Sequence, residues 1–295
     1  MAEALKIFKP ELWSKTILNE LDVITGMRKH SDYSFNSEIK YGTKLHITKL
    51  GDTTIRAYVQ GTDITVDEVS GTEAELVIDQ QRYFAKYYDD VDKVQAIPGA
   101  VEADMRETAK VLAVDADEFV SARLYQAVTA GTIAKSSTAY DPSTSRTSAD
   151  DARKALGFIE DGLVALYTNN VSTSTEIWGE VSPKMYSAIR MHLTELATQN
   201  LDLMKKGIVG KYNNVNICIE NRLPVASKVK YNFLRTGKAF AFAEQIDKVS
   251  TVEKEKGFGQ IFKGLYVYGG LVVRPEEAYA IQETCTDADS SFLTR

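Results

Sequence analysis

The sequence predicts an α+β protein organised around one long helix, and three observations predict it. Residues 77–96, VIDQQRYFAKYYDDVDKVQA, are dense in β-branched and aromatic residues and break at an acidic turn, Asp89-Asp90-Val91-Asp92. Over residues 98–130 the apolar side chains recur with a helical period. From Gly207 onward, short alternating apolar runs between turn residues predict strands. No chemically reactive cluster lies near the first of these stretches, so it has the pattern of a scaffold rather than an active site.

Residues 1–42 carry scattered apolar anchors, of which those from Leu12 to Ile24 follow helical spacing. Past Gly26 the stretch MRKHSDYSFNSEIKYG is polar and predicts an extended arm that needs something to lie upon. Residues 43–80 alternate at Leu45 and Ile47, at Ile55, Ala57 and Val59, and at Leu76 and Ile78, with turn residues between the runs. The intervening TDITVDEVSGTEAE is polar and acidic, which predicts a long β-hairpin projecting from the body. A lone hairpin is marginally stable in water, so it should be mobile, rest on a neighbouring molecule or lie back on its own domain.

The long helix opens with Pro98, suited to a first turn, and keeps Val101, Met105, Ala109, Leu112, Ala116, Phe119, Val120, Leu124, Ala127 and Val128 on one stripe until Gly131. At 1.5 Å per residue such a rod spans about 50 Å, more than a compact domain usually requires. After a Ser/Thr-rich loop over 131–148, Thr147 or Ser148 can cap a second helix, buried through Ala152, Leu156, Ile159, Leu163 and Leu166. Ile177 and Trp178 read as a short strand, and Ser182-Pro183 opens a third helix with Tyr186, Ile189, Leu193 and Leu196 inward.

Composition excludes several function classes. The chain has 295 residues, 35 Lys and Arg against 41 Asp and Glu, and a formal charge of -6, so no general positive field draws it to nucleic acid. No apolar run reaches the ~18 residues of a membrane span, and the start lacks the pattern of a secretory signal. Cys218 and Cys285 are too few for a disulfide framework, and both are expected to be reduced and buried or inert. His30, His46 and His192 have no spacing that would place two on one helical face for zinc, and His46 reads as an exposed strand residue. The glycines of GFGQIFKG lack the ending of a phosphate loop and serve turns between strands. Asp89, Asp90 and Asp92 lack the glycine and terminal glutamate of a calcium loop, and Lys205, Lys206 and Lys211 are the pattern of a solvated loop. Neither a catalytic residue nor a cofactor or metal site is expected.

Several segments taken together resemble the major capsid proteins of tailed bacteriophages, which have the Hong Kong 97 (HK97-like) fold. FKPELWSKTILNEL looks like the N-terminal arm of that family, and IDQQRYFAKYYDDVDKVQA like the strand and acidic turn before its spine helix. VSPKMYSAIR, GIVGKYNNVNICIENRLP and FGQIFKGLYVYGGLVVRPEEAYAI resemble its later segments, in the same order. The resemblance implies an arm over 1–42, an extended loop over 43–80, a peripheral domain over 81–170 and 250–282 with its spine helix at 98–130, an axial domain over 171–249 and a C-terminal tail over 283–295. It implies self-assembly into hexamers and pentamers of an icosahedral head, located in the virion and built in the host bacterial cytoplasm. It also implies loose, non-specific contact with packaged double-stranded DNA, which a net negative wall permits. A scaffolding protein, a portal and decoration proteins are the further partners implied, and no membrane is.

Intersubunit contacts are expected from Arg56, Asp63, Asp67 and Glu68 of the hairpin, and from Phe8 and Trp13 of the arm. Two other readings stay open: a nanocompartment shell of the same fold enclosing an enzyme cargo, and a small-molecule enzyme with a nonstandard site in 171–249.

Overall fold

The computed structural model describes residues 26–37, 44–51, 54–58, 60–61, 63, 66, 71–89, 100–142, 149–195, 211–253 and 257–285. Strand β1 (Lys44–Leu50) pairs antiparallel with β2 (Gly71–Val77). Strand β3 (Gln80–Asp89) leads toward the long helix α1 (Ala100–Thr129), followed by β4 (Ala134–Lys135) and α2 (Ala149–Thr168). Then come β5 (Ile177–Val181), α3 (Pro183–Glu195), β6 (Lys211–Tyr212), β7 (Val215–Ile219) and β8 (Val225–Ala226). The last four strands are β9 (Val229–Thr236), β10 (Phe240–Glu253), β11 (Gly259–Val272) and β12 (Ala278–Thr284).

Helix α1 forms and ends as its sequence dictates. Met105, Ala109, Leu112, Ala116, Val120, Leu124 and Val128 are all buried on one stripe. Its last turn closes in a Schellman arrangement: Gly131 N–H donates to the Val128 carbonyl at 3.1 Å and Thr132 N–H to the Ala127 carbonyl at 3.0 Å. Gly131 takes φ +76°, which a side chain would resist. Helix α3 starts on Ser182, whose Oγ accepts the Met185 N–H at 3.1 Å, with Pro183 as its first residue. Ser182→Ala should therefore cost about 1 kcal/mol by thermal denaturation; an unchanged melting temperature would show the cap contributes nothing.

Two sheets share α1. The order β10-β11-β3 makes a three-stranded sheet, and β4-β12-β9-β5-β7-β6 the path of a seven-stranded one, with β8 paired to β9. Along β9, Tyr231 and Phe233 join the core beneath α1, whereas Leu234 joins the core beneath α2 and α3. Strand β12 divides the same way, Ala278 and Ala280 against Tyr279 and Ile281. Helices thus cover both faces of this sheet, which is why residues 231–236 are buried without alternation.

This packing places some segments across the expected boundaries. Helix α2, expected with the spine helix, packs with α3 and with β5, β7 and β12 in one core. Strand β10, most of which was expected in 171–249, is instead hydrogen-bonded along β11 in the three-stranded sheet. Strand neighbours here are far apart in sequence, and no local pattern specifies them.

The hairpin base takes one of the expected placements, whereas the polar stretch after Gly26 departs from expectation. Leu76 is fully buried, with Leu45, Ile47, Ile78 and Phe35 packed around it and around Ala241 and Ala243. The base of the hairpin thus lies on its own chain, while Ile55, Ala57 and the other described residues of 51–66 belong to no strand and stand exposed. At Gly269 a Cβ would come within 2.2 Å of the Val77 carbonyl oxygen, so glycine permits the close crossing of β11 and residues 77–78. Met27, Arg28, His30 and Ser31 are buried rather than laid out as an arm, because distant charges accept them. Asp32 bridges Ala241, its N–H donating to the Phe240 carbonyl at 2.9 Å, and so covers the edge of β10.

Candidate functional site

The hairpin β1–β2 carries a protruding segment. Its last register pair is Leu50 with Gly71, and a Lys44–Glu75 ion pair and a His46–Glu73 contact of 2.7 Å cross the two strands. His46 is thus an exposed strand residue with a carboxylate partner. Beyond the last pair, Ile55, Tyr58 and Val66 are 94%, 69% and 86% exposed. Arg56 and Asp63 stand exposed in the same segment. Asp67, Glu68, Phe8 and Trp13 lie outside the described residues, as do Lys205 and Lys206.

A second apolar surface lies on the three-stranded sheet. Strand β3 turns its alternate residues to two environments. On the inner side Arg82 pairs with Asp115 at 2.8 Å and Lys86 with Asp104 at 2.7 Å, both acids on α1, while Tyr88 also donates to Asp104. Burial and that carboxylate push the Tyr88 hydroxyl pKa well up. On the outer side stand Tyr83 and Tyr87, registered against Leu265 and Ile261 of β11, with Ile261 registered in turn against Val252. Tyr83 is 80% exposed and Phe258 84%, with Tyr87 and Val252 both 43% exposed. The strand's cations are satisfied by its own helix while Tyr83 and Tyr87 face away from it, and β3 has one edge unpaired among the described strands. Sequence reading missed this face, because the alternation of QRYFAKYY marks two faces without telling which one the helix takes.

A buried polar hub lies where residues 26–31 cross the body. Asp117 of α1 accepts the backbone N–H of Gly26 at 3.1 Å and of Arg28 at 2.9 Å. The Arg28 guanidinium pairs with Glu244 and donates to the Tyr266 hydroxyl at 2.8 Å. Arg235, fully buried, holds Glu180 through two bonds of 2.6 and 3.0 Å and donates to the His30 carbonyl at 3.0 Å and to the Met27 carbonyl. The His30 ring stacks on Trp178 with centroids 3.9 Å apart. Burial opposes the charge on Glu180, but Arg235 and the His30 hydrogen bond outweigh it and hold the carboxyl below its ordinary range. Glu220 has no such compensation: burial, with Asp117 and Glu180 nearby, pushes its pKa up to about 7.

This hub is a structural joint in the chemistry it displays. Cys218 is half-buried rather than buried, and burial followed by the charge of Glu180 pushes its thiol up to about 11, away from a thiolate nucleophile. Cys285 is half-buried as well. Among the described residues no three His, Cys, Asp or Glu side chains group to hold a metal ion, and no helix is long and apolar enough to cross a membrane. Gly264 lies within β11, where a Cβ would meet the Phe84 ring at 2.4 Å, so this glycine admits an aromatic ring rather than a phosphate.

No protein-family model matches the chain, and no curated protein matches it. Solved structures do. A structure of Mycobacterium phage Che8 superposes with a TM-score of 0.69 at 24% identity, covering 87% of this chain and 90% of that one. The mature capsid of bacteriophage PhiM1 gives 0.66 at 14% identity, over 89% and 87% of the two chains. A virus-like particle from Pyrococcus furiosus gives 0.56 at 11% identity, over 90% and 96%. The chain has the α+β, HK97-like fold of phage capsids.

Proposed function

We propose that this chain, having the capsid fold, is a shell subunit: copies of it assemble as pentamers and hexamers and close an icosahedral phage head around double-stranded DNA. One observation carries the reading. The chain presents a protruding segment bearing Ile55, Tyr58 and Val66 and, elsewhere, an apolar sheet face at Tyr83, Tyr87 and Val252 that stays exposed among the described residues. Apolar area of this kind is rare on a solitary protein and normal on one that repeats a contact. The occupant proposed for the sheet face is the 51–70 segment of a second copy, with Arg56 and Asp63 as its polar flank and Asp67 and Glu68 beside them. The arm, Phe8 and Trp13 included, is assigned a second intersubunit contact.

Within the subunit, β3, α1, β10 and β11 form the proposed peripheral lobe. Helices α2 and α3 with the seven-stranded sheet form the axial lobe, which moves residues 149–168 and 278–284 into it. A structural role without catalysis fits the half-buried Cys218, whose thiol is shifted away from reactivity.

Negative-stain microscopy of the purified protein tests the proposal, with closed particles expected. A discrete oligomer of few subunits, or a monomer at high concentration, would overturn it. A second reading keeps the shell and changes its content, a compartment that encloses a protein; a virus-like particle from Pyrococcus furiosus shares the fold. Nuclease-protected DNA in the particles supports the phage head, and a co-purifying cargo protein without DNA supports the compartment.

A further inference from the structure

The hub contains a titratable group that shell assembly does not use. Glu220 follows β7 and is 8% exposed, and its Oε2 lies where a Cβ on Gly26 would come within 2.2 Å. Its Oε1 accepts the Arg222 N–H at 3.0 Å. The segment 26–31 therefore forms the lid of the space that holds this carboxyl. Asp117 from α1 and Glu180 from β5 face the same space, and both have hydrogen-bond partners in that segment.

The cations nearby are committed elsewhere. Arg28 pairs with Glu244, Arg235 with Glu180 and Arg222 with Glu118, while Lys29 is exposed. His30 bonds Glu180, and the Cys218 thiol stands 3.9 Å from the other nitrogen of that ring. A charged Glu220 thus adds a third carboxylate beneath the lid without adding a cation.

We propose that Glu220 makes the seating of residues 26–31 proton-linked: the segment is held closed when Glu220 is protonated and loosens when it ionises. This inference goes beyond the shell reading and does not rest on it, since every group involved belongs to one chain.

The sign follows from the shift. With the lid seated, the Glu220 pKa is raised to about 7; with the lid lifted and the carboxyl in water it returns to its ordinary value. Closing therefore takes up a proton. The closed state is favoured most at acid pH, weakens by up to about tenfold per pH unit as pH climbs between those two values, and levels off above the higher one.

Hydrogen–deuterium exchange on the purified full chain across this pH range, corrected for intrinsic rates, provides the test. A peptide covering 26–31 should lose protection as pH rises, while a control peptide covering Ala278–Thr284 keeps its own, and in Glu220→Gln the 26–31 peptide should stay protected with no slope. A flat wild-type profile, equal slopes in both peptides, or a slope that persists in Glu220→Gln would overturn the proposal. Should the variant fail to fold, the two wild-type peptides decide the matter alone.

Discussion

Arg235→Met should be among the most damaging single substitutions in this chain, lowering stability by about 3–5 kcal/mol. Arg235 is fully buried, and its guanidinium supplies the countercharge to an equally buried Glu180 while satisfying two backbone carbonyls of the segment that threads past it. Methionine fills the same channel but leaves the carboxylate without its cation, and an unpaired buried charge costs far more than the net worth of the intact pair. Set against the ~5–15 kcal/mol that separates folded from unfolded domains, the loss should lower the melting temperature by on the order of 10 °C.

The pH dependence should reverse as well. In the native protein Glu180 sits below its ordinary range, so its stabilising effect is present above the ordinary value and is lost as pH falls through the lowered one. Without Arg235 burial dominates and raises the carboxyl, so the variant should recover partly on acidification, where Glu180 is neutral. Adding Glu180→Gln should recover part of the loss at neutral pH. Calorimetry that finds an unchanged melting temperature for Arg235→Met, with the native pH profile, would remove the hub as the joint that fixes residues 26–31.

Replacing residues 51–70 by Asn-Gly should abolish closed particles while leaving the subunit folded. Leu50 and Gly71 are the last registered pair of the hairpin, and Asn-Gly is the two-residue turn whose backbone matches the twist of the strands it joins. The base stays held by Leu76, which is fully buried, so the melting temperature should move by only a few degrees. What is lost is external. Among the described residues Ile55, Tyr58 and Val66 are the large apolar side chains exposed on the segment, and burying one such side chain is worth roughly 1.5–3 kcal/mol before ordering costs. Repeated at every copy, that is enough to decide whether a shell closes. Sedimentation and microscopy should find unassembled subunits or small rings; normal particles would mean that the segment is dispensable and that the sheet face at Tyr83 binds something else.

Much of the architecture is legible along the chain. The burial stripe of α1 and its stop at Gly131 are encoded by residues within a few turns of each other, as is the start of α3 at Ser182-Pro183. The two-residue turn of Ser227 and Lys228, with φ of 51° and 65°, was not legible. Its geometry is of the kind Asn-Gly marks, and here the pairing of β8 with β9 imposes it on residues that do not advertise it. The polar stretch MRKHSDYSFNS misled for a different reason. Polarity signals solvent only while charges lack partners, and Arg28 finds Glu244 at a separation of 216 residues while its N–H finds Asp117 at 89.

The sequence by itself therefore determined α1, α2, α3 and the main strands among the described residues, and the HK97-like resemblance, because helical and strand periodicity are local properties of neighbouring residues. The helix expected over Leu12 to Ile24 and the starts expected at Pro98 and at Thr147 or Ser148 lie outside the described residues. Tertiary structure alone decided that Met27, Arg28, His30 and Ser31 are buried in the body rather than free as an arm. It also decided that the helix over 149–168 serves the seven-stranded sheet and that Tyr83 and Tyr87 of β3 face away from α1. Each of these depends on which distant charge or strand comes to lie alongside, and that is settled when chain segments remote in sequence compete for the same buried space.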